Sequence, residues 1–314
     1  MKPYITFVLL YLFAGYGVFG QTGAPITLKT STGNIEGTLL IPQKKGTVPV
    51  ALIIAGSGPT DRDGNNPMMK NNALKMLATA LYQNGIASLR YDKRGIAASK
   101  SAGLVESKLR FDNYIDDAVG WTQLLKQNKK FSQILIIGHS EGSLIGMIAA
   151  QKAWVNKFIS LAGAGQPADQ LIREQLSAQP PFVLQQSAPI LDELVKGNTV
   201  DSIPQYLNAL FRHSVQPYLI SWFRYNPQTE IAKLKKPVLI VQGTTDIQVG
   251  IKDAEKLKEA NPQARLVIIT GMNHILKNAP GDRQQNIKTY MQPDLPINKT
   301  LVRTLVDFIK NKQE

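Results

Sequence analysis

The segment Ile134-Leu135-Ile136-Ile137-Gly138-His139-Ser140-Glu141-Gly142 constrains the fold of this chain more than any other. An uninterrupted apolar run ends in a glycine-flanked serine, and Ser143 to Lys152 then reads as a helix. Five residues of the form G-x-S-x-G recur by chance. Between a strand and a helix they predict a sharp elbow that holds the serine in a strained backbone conformation. Gly138 and Gly142 let the strand and helix approach closely. The serine hydroxyl is then expected to stand free at the carboxyl edge of a sheet.

The rest of the chain supplies elements that suit such a sheet. Ile26 to Thr30 and Ile35 to Ile41 flank a turn, Ser31-Thr32-Gly33-Asn34, and predict an antiparallel hairpin. Val48 to Ala55 is continuously apolar, as in a strand buried on both faces of a parallel sheet. Strands and helices then alternate: helix Ala73 to Tyr82, strand Ala87 to Tyr91, and an amphipathic helix Phe111 to Lys126. The elbow strand and its helix follow, and then strand Lys157 to Leu161. Alternation stops after Gly163. Residues ~166 to 228 carry prolines and charged helical pieces without a clear strand. It resumes with strand Pro237 to Gln242, a helix near Asp253 to Glu259, strand Leu266 to Thr270 and a final helix Lys299 to Lys310. This predicts an α/β fold: a mostly parallel sheet of about eight strands, flanking helices and an inserted helical cap. The expected division is a leader at 1–20, core at 21–165, cap at 166–228 and core again at 229–314.

The chain has 314 residues, 43% of them hydrophobic, enough for one large α/β domain. It has no cysteine, which removes disulfides, thiolate metal sites and a cysteine nucleophile. Lys2 precedes an uncharged apolar run, Tyr4 to Phe19, whose 16 residues fall short of the ~20 that span a bilayer. A cleaved export signal ending before Gln21 is therefore expected, in preference to a membrane anchor, with the mature chain periplasmic or secreted. The net charge is +13, but lysine pairs such as Lys44-Lys45, Lys129-Lys130 and Lys235-Lys236 are scattered at turns and helix ends. Solvated surface charge is the expectation, with no nucleic-acid partner.

A serine hydroxyl needs a base at neutral pH, and the chain holds three histidines. His139 lies inside the elbow, where its side chain is expected to point away from the reaction. His213 falls in the inserted stretch. His274, in Gly271-Met272-Asn273-His274, follows the last predicted strand and returns to the sheet edge of Ser140. Asp246, in Gly243-Thr244-Thr245-Asp246, leaves the same edge after Val238 to Val241, and is the carboxylate expected to orient the imidazole. A turn aspartate is the alternative for Asp246. Two donors are expected for an oxyanion. One is the backbone N–H of Glu141. The other is an N–H of Gly56-Ser57-Gly58-Pro59, with Ser57 preferred. Thr60 to Asn65 is read as an internally pinned loop, a calcium loop being disfavoured for want of a terminal glutamate. Tyr91-Asp92-Lys93-Arg94-Gly95 is read as a loop brace. Tyr218, Phe211, Trp222 and Phe223 either pack the cap on the core, the first reading, or line an acyl pocket.

Together these residues resemble the α/β-hydrolase superfamily, over essentially all of 25 to 314. They are most like bacterial capped serine esterases of the EstD type, grouped with serine aminopeptidase-like hydrolases. Gly56 to Pro59 with Asp61 to Asn65 is similar to that group's oxyanion loop. Asp92-Lys93-Arg94-Gly95 resembles its arginine-glycine loop, although Ile96-Ala97-Ala98-Ser99 departs from the usual glycine-containing continuation. The elbow, Asp246 and Asn273-His274 occupy its nucleophile, acid and base positions. The tail, Gly281-Asp282-Arg283, Thr289-Tyr290 and Pro293 to Pro296, is also similar. The resemblance implies a carboxylesterase for small or medium acyl esters, needing no metal or organic cofactor. The same triad on an amide bond is the first alternative, with cap carboxylates Asp169, Glu174, Asp192, Glu193 and Asp201 available for a free amino terminus. A non-catalytic binding protein on this fold is the second.

Overall fold

A single sheet of eight strands organises the computed structural model, which describes residues 23–152 and 154–310. The expected leader, residues 1–20, lies outside the described residues. The strands are β1 (Ala24–Thr30), β2 (Gly33–Leu40), β3 (Val48–Ile54), β4 (Ala87–Tyr91), β5 (Phe131–His139), β6 (Lys157–Leu161), β7 (Val238–Gly243) and β8 (Arg265–Ile269). Their order across the sheet is β1-β2-β4-β3-β5-β6-β7-β8. β1 pairs with β2, and β2 with β4, antiparallel; every later pairing is parallel. The hairpin closes tightly, with Thr30 opposite Gly33 and Ser31-Thr32 at the tip.

The helices are α1 (Ala73–Gln83), α2 (Phe111–Gln127), α3 (Glu141–Ala149), α4 (Ala168–Ser177), α5 (Pro181–Val195) and α6 (Asn208–Phe211). Then come α7 (Gln216–Phe223), α8 (Pro227–Ala232), α9 (Ile251–Ala260), α10 (Arg283–Lys288) and α11 (Lys299–Lys310). The apolar strands are buried on both faces, because helices cover both. Along β3, Val50, Leu52 and Ile54 join one core, while Ala51 and Ile53 join the other. β5 splits the same way: Ile134 and Ile136 against Leu135 and Ile137. The first core takes Phe111, Ala118, Trp121 and Leu125 from α2; the second takes Leu77 and Leu81 from α1 and Leu301, Leu305 and Ile309 from α11.

Between β6 and β7 the chain makes only helices, α4 to α8. The helical stretch runs past residue 228 because Asn226 caps α8, its side chain accepting from the Gln228 N–H, and carries the helix to Ala232. Helix α7 fastens this insertion to the core. The Trp222 ring stacks on Phe111 at 5.8 Å, and the Ser221 hydroxyl accepts from the Phe111 N–H at 2.8 Å. Arg224 and Tyr225 both bond Asp112 at the start of α2.

Candidate active site

Ser140 sits between β5 and α3 with φ 55° and ψ −123°, a conformation that costs a non-glycine residue about 1–3 kcal/mol. Two glycines make this turn possible. A Cβ on Gly138 would lie 2.3 Å from the Gly142 carbonyl oxygen, and one on Gly142 would lie 2.4 Å from that of Ile54. The helix therefore starts directly against the end of β3. It begins at Glu141, two residues before the expected Ser143, because the turn closes through a Ser143 N–H bond to the Ser140 carbonyl. The N-terminus of a helix, with its unsatisfied N–H groups, thus faces the serine.

Asp246 and His274 come together after β7 and β8. His274 Nδ1 lies 2.8 Å from Asp246 Oδ2, with both side chains buried, 5% and 1% exposed. The loops that carry them touch: a Cβ on Gly243 would fall 1.9 Å from the Met272 carbonyl oxygen, and the Thr245 N–H donates to that same oxygen. Asp246 also accepts from the backbone N–H groups of Gln248 and Val249, at 2.8 and 3.0 Å, and from Gln242 Nε2 at 3.0 Å. Burial pushes its carboxyl up, but the adjacent His274 and these N–H groups outweigh burial and hold it below the ordinary carboxylate value. The turn-aspartate and base-orienting roles that compete for Asp246 in the sequence thus coincide geometrically: Oδ1 serves the turn and Oδ2 faces the histidine.

His139 departs from expectation. Its ring does not turn away from the other groups but packs beside His274, centroids 4.9 Å apart, and its Nε2 donates to the His274 carbonyl oxygen at 2.8 Å. A carbonyl can only accept, so Nε2 carries the proton. Burial, then the neighbouring imidazole, pushes the His139 ring down to about 4, so it is neutral at pH 7. The elbow is thereby bonded to the loop of His274. His213 lies far out on the insertion, exposed, opposite Asp201 at 3.6 Å.

The loop after β3 lies against the serine. A Cβ on Gly56 would sit 3.1 Å from Ser140 Cβ. Its continuation is pinned as expected: Asp61 accepts from the N–H groups of Asp63 and Asn65, Arg62 pairs with Asp92, and Arg90 with Asp63. Asp92 to Gly95 is a brace of buried ion pairs, with Arg94 held by Asp117 and Lys93 by Glu141 at 2.8 Å. Sequence reasoning missed Gln242 near the acid and gave Asn273, which it named beside His274, no role of its own. Gln242 is a polar residue closing the apolar run of β7, which was its one visible signal. Asn273 bonds Asn286, Thr289 and the Lys277 N–H, shaping the turn around His274.

A cavity of about 600 Å³ opens over Ser140, Ser57 and Glu141 and runs under the insertion. Leu144, Ile172, Leu210, Leu219 and Trp222 make its wall largely apolar. Of the four aromatic candidates, Tyr218 and Trp222 reach this wall, while Phe211 and Phe223 pack into the core. Among the described residues, none of Asp169, Glu174, Asp192, Glu193 and Asp201 lines the cavity; Asp169 and Asp192 flank Arg173, Glu174 accepts from Gln166, and Glu193 pairs with Lys196. The described residues include no cluster of side chains arranged to hold a metal ion.

A serine held at positive φ between a parallel strand and a helix, with an aspartate and a histidine on loops after the next strands but one and two, is the α/β-hydrolase arrangement. The fold is that of the α/β-hydrolases. Residues 70–220 match the family described as serine aminopeptidase, S33. Esterase EstD of Thermotoga maritima is 24% identical over 266 residues, or 80% of this chain; the chain spans about 60% of that relative's length. Est1E of Butyrivibrio proteoclasticus, solved with ferulic acid, superposes with a TM-score of 0.62 at 17% identity, covering 91% of this chain and all of the other. An esterase of Pyrococcus furiosus, Pf2001, gives a TM-score of 0.58 at 16% identity, covering 92% and 90%.

Proposed function

We propose that this protein is a serine carboxylesterase acting on small or medium acyl esters. The observation that carries the reading is the buried pair of His274 Nδ1 and Asp246 Oδ2 at 2.8 Å, at the same sheet edge as the strained Ser140. Asp246 accepts from Nδ1–H, which makes Nε2 the basic nitrogen of His274. His274 takes the Ser140 proton as Oγ attacks the ester carbonyl. The Ser57 and Glu141 N–H groups hold the oxyanion that forms. As the tetrahedral species collapses, the imidazolium gives its proton to the departing alcohol and an acyl-enzyme remains. Water, deprotonated by His274, then attacks the acyl carbonyl; collapse returns the proton to Ser140 and releases the acid.

The largely apolar cavity favours an uncharged acyl chain, and its volume lies within the range usual for small-molecule sites. The amide alternative is less well supported. An aminopeptidase must recognise a substrate ammonium, and among the described cavity residues the single carboxylate is Glu141, already paired with Lys93. The name of the EstD relative points the same way. The reading also takes residues 1–20 as an export signal cleaved before Gln21, which the mass of the protein recovered from its host tests. The decisive assay compares p-nitrophenyl esters, from acetate to laurate, with aminoacyl-anilides, using wild type and Ser140→Ala. Ester turnover that vanishes in Ser140→Ala is expected. Turnover of anilides alone, or activity surviving in Ser140→Ala, overturns the assignment.

A further inference from the structure

Lys93 is a buried lysine, 1% exposed, that the reaction as written does not use. Its ammonium donates to the Gly56 carbonyl oxygen at 2.7 Å and to Glu141 Oε2 at 2.8 Å, and lies 4.9 Å from the centre of the Tyr114 ring. The other oxygen of Glu141 accepts from the Tyr218 hydroxyl, which comes from α7 above the cavity. The two residues this ammonium joins have something in common. Glu141 carries one oxyanion donor on its own backbone. The Gly56 carbonyl belongs to the same planar peptide unit as the N–H of Ser57, the other donor. In a trans peptide the C=O and N–H point in opposite directions, and no cis bond occurs among the described residues. Pulling the Gly56 oxygen into the core on one side therefore aims the Ser57 N–H outward on the other, where Ser57 is exposed and lines the cavity.

We infer that Lys93 is a positioning residue of the oxyanion hole: it fixes and polarises the Gly56–Ser57 peptide so that the Ser57 N–H meets the developing oxyanion, with Glu141 as its anchor. An ammonium on the carbonyl strengthens the opposite N–H as a donor, since hydrogen bonds in a chain polarise one another. The inference rests on the reading of Ser57 and Glu141 as the two donors. It gives the Asp92-Lys93-Arg94-Gly95 brace a part in rate as well as in stability, and it explains why a charged side chain at position 141 is buried beside the nucleophile.

The test uses Lys93→Met, the double variant Lys93→Met with Glu141→Gln, and Lys93→Arg. The double variant matters because removing one partner alone leaves a buried charge unpaired. For each, thermal unfolding, kcat and KM for p-nitrophenyl butyrate, and inhibition by an alkyl trifluoromethyl ketone are measured. The ketone adds the serine to form an oxyanion, whereas KM for the ester reports binding before one exists. The expected result is a folded double variant whose kcat falls on the order of 10- to 100-fold with KM nearly unchanged. Affinity for the ketone falls by the same factor, and Lys93→Arg recovers part of both. Wild-type kcat and ketone affinity in a folded variant overturn the inference, as do a loss confined to KM and failure of every variant to fold. A wild-type protein that turns over no ester defeats the esterase reading itself, a different and separately visible outcome.

Discussion

His139 Nε2 donates to the carbonyl oxygen of His274 across 2.8 Å, so the residue before the proposed nucleophile holds the loop that carries the proposed base. The bond spans 135 residues of sequence and joins the carboxyl ends of β5 and β8. It requires a proton on Nε2, and burial, then the second imidazole, keep the ring from taking up another on Nδ1 at neutral pH. Three chain segments thus converge through side chain to backbone bonds as well as through Asp246 and His274.

That neutral ring makes stability depend on pH. Its value is about 4 in the folded state against 6.5 ordinarily, so the unfolded chain binds the proton first as pH falls. The contribution is whole above pH ~6.5 and is lost between there and ~4, at most about 3 kcal/mol. The depressed Asp246 carboxyl acts in the same direction at lower pH, its stability being present above the ordinary carboxylate value and lost as pH falls through its own. His139→Gln keeps a donor for the His274 carbonyl and cannot titrate. Urea unfolding of both proteins at pH 7.5 and 4.5 is expected to show a smaller acid loss in the variant. Equal losses in the two would dismiss His139 as the titrating group.

Asp246→Asn separates orientation of the base from the turn. The amide oxygen can still accept from Gln248 and Val249, so the turn survives, but the negative charge facing His274 is gone. A fall in kcat of roughly 10³–10⁴ is expected at a temperature where the variant is folded, together with a lowered thermal midpoint, because the carboxylate that accepted from His274 and Gln242 is gone. Stopped-flow or steady-state ester hydrolysis alongside calorimetry checks it. A variant with wild-type kcat would show that Asp246 is only a turn residue.

Much of this site is local information. The elbow, the loop aspartate and the loop histidine each follow an apolar strand, and parallel strands deliver their carboxyl ends to one edge, so three distant positions fall together once the strands are read. The strand limits were legible for the same reason: β4 and β6 are short runs buried on both faces. What stayed hidden depends on packing between segments far apart. The inward turn of His139 follows from where the His274 carbonyl lies, which no pattern around residue 139 encodes. The two hydrogen bonds of Lys93, to Gly56 and Glu141, need three distant segments at once. The insertion yielded least, because its helices α4 to α7 bury faces against one another and against α2, and which aromatic lines a cavity is decided by that packing. Trp222 does both, stacking on Phe111 while reaching the cavity.

The elbow glycines give a sharper structural prediction. Gly138→Ala places a methyl 2.3 Å from a backbone oxygen, where no flexible side chain can yield. The strand and helix must separate, moving Ser140 and the Glu141 N–H together. A loss of about 2–4 kcal/mol in urea unfolding is expected, with ester turnover lost in whatever remains folded. Gly58→Ala is the control: a Cβ there meets nothing within 4 Å, although its φ of +69° still carries a strain cost of about 1 kcal/mol. Similar destabilisation by the two substitutions would mean that the close strand–helix approach is not what Gly138 secures.

Trp222 tests the proposed acyl pocket. Its ring closes part of the cavity wall and stacks on Phe111 at an interplanar angle of 7°. Trp222→Ala opens the cavity toward α2 and removes the stack together. Because the ring is only half-buried, a stability loss of about 1–3 kcal/mol is expected, less than for a core tryptophan. In the graded ester series, KM for short esters is expected to rise, since they lose contact area. The longest acyl chain with measurable kcat/KM is expected to lengthen, since added volume admits methylenes that each contribute about 0.8 kcal/mol when buried. Phe223→Ala, which removes a core-facing ring of the same helix, is expected to cost stability without lengthening the accepted chain. If both variants shift the chain-length profile alike, loosening of α7 rather than the Trp222 wall governs acyl selection.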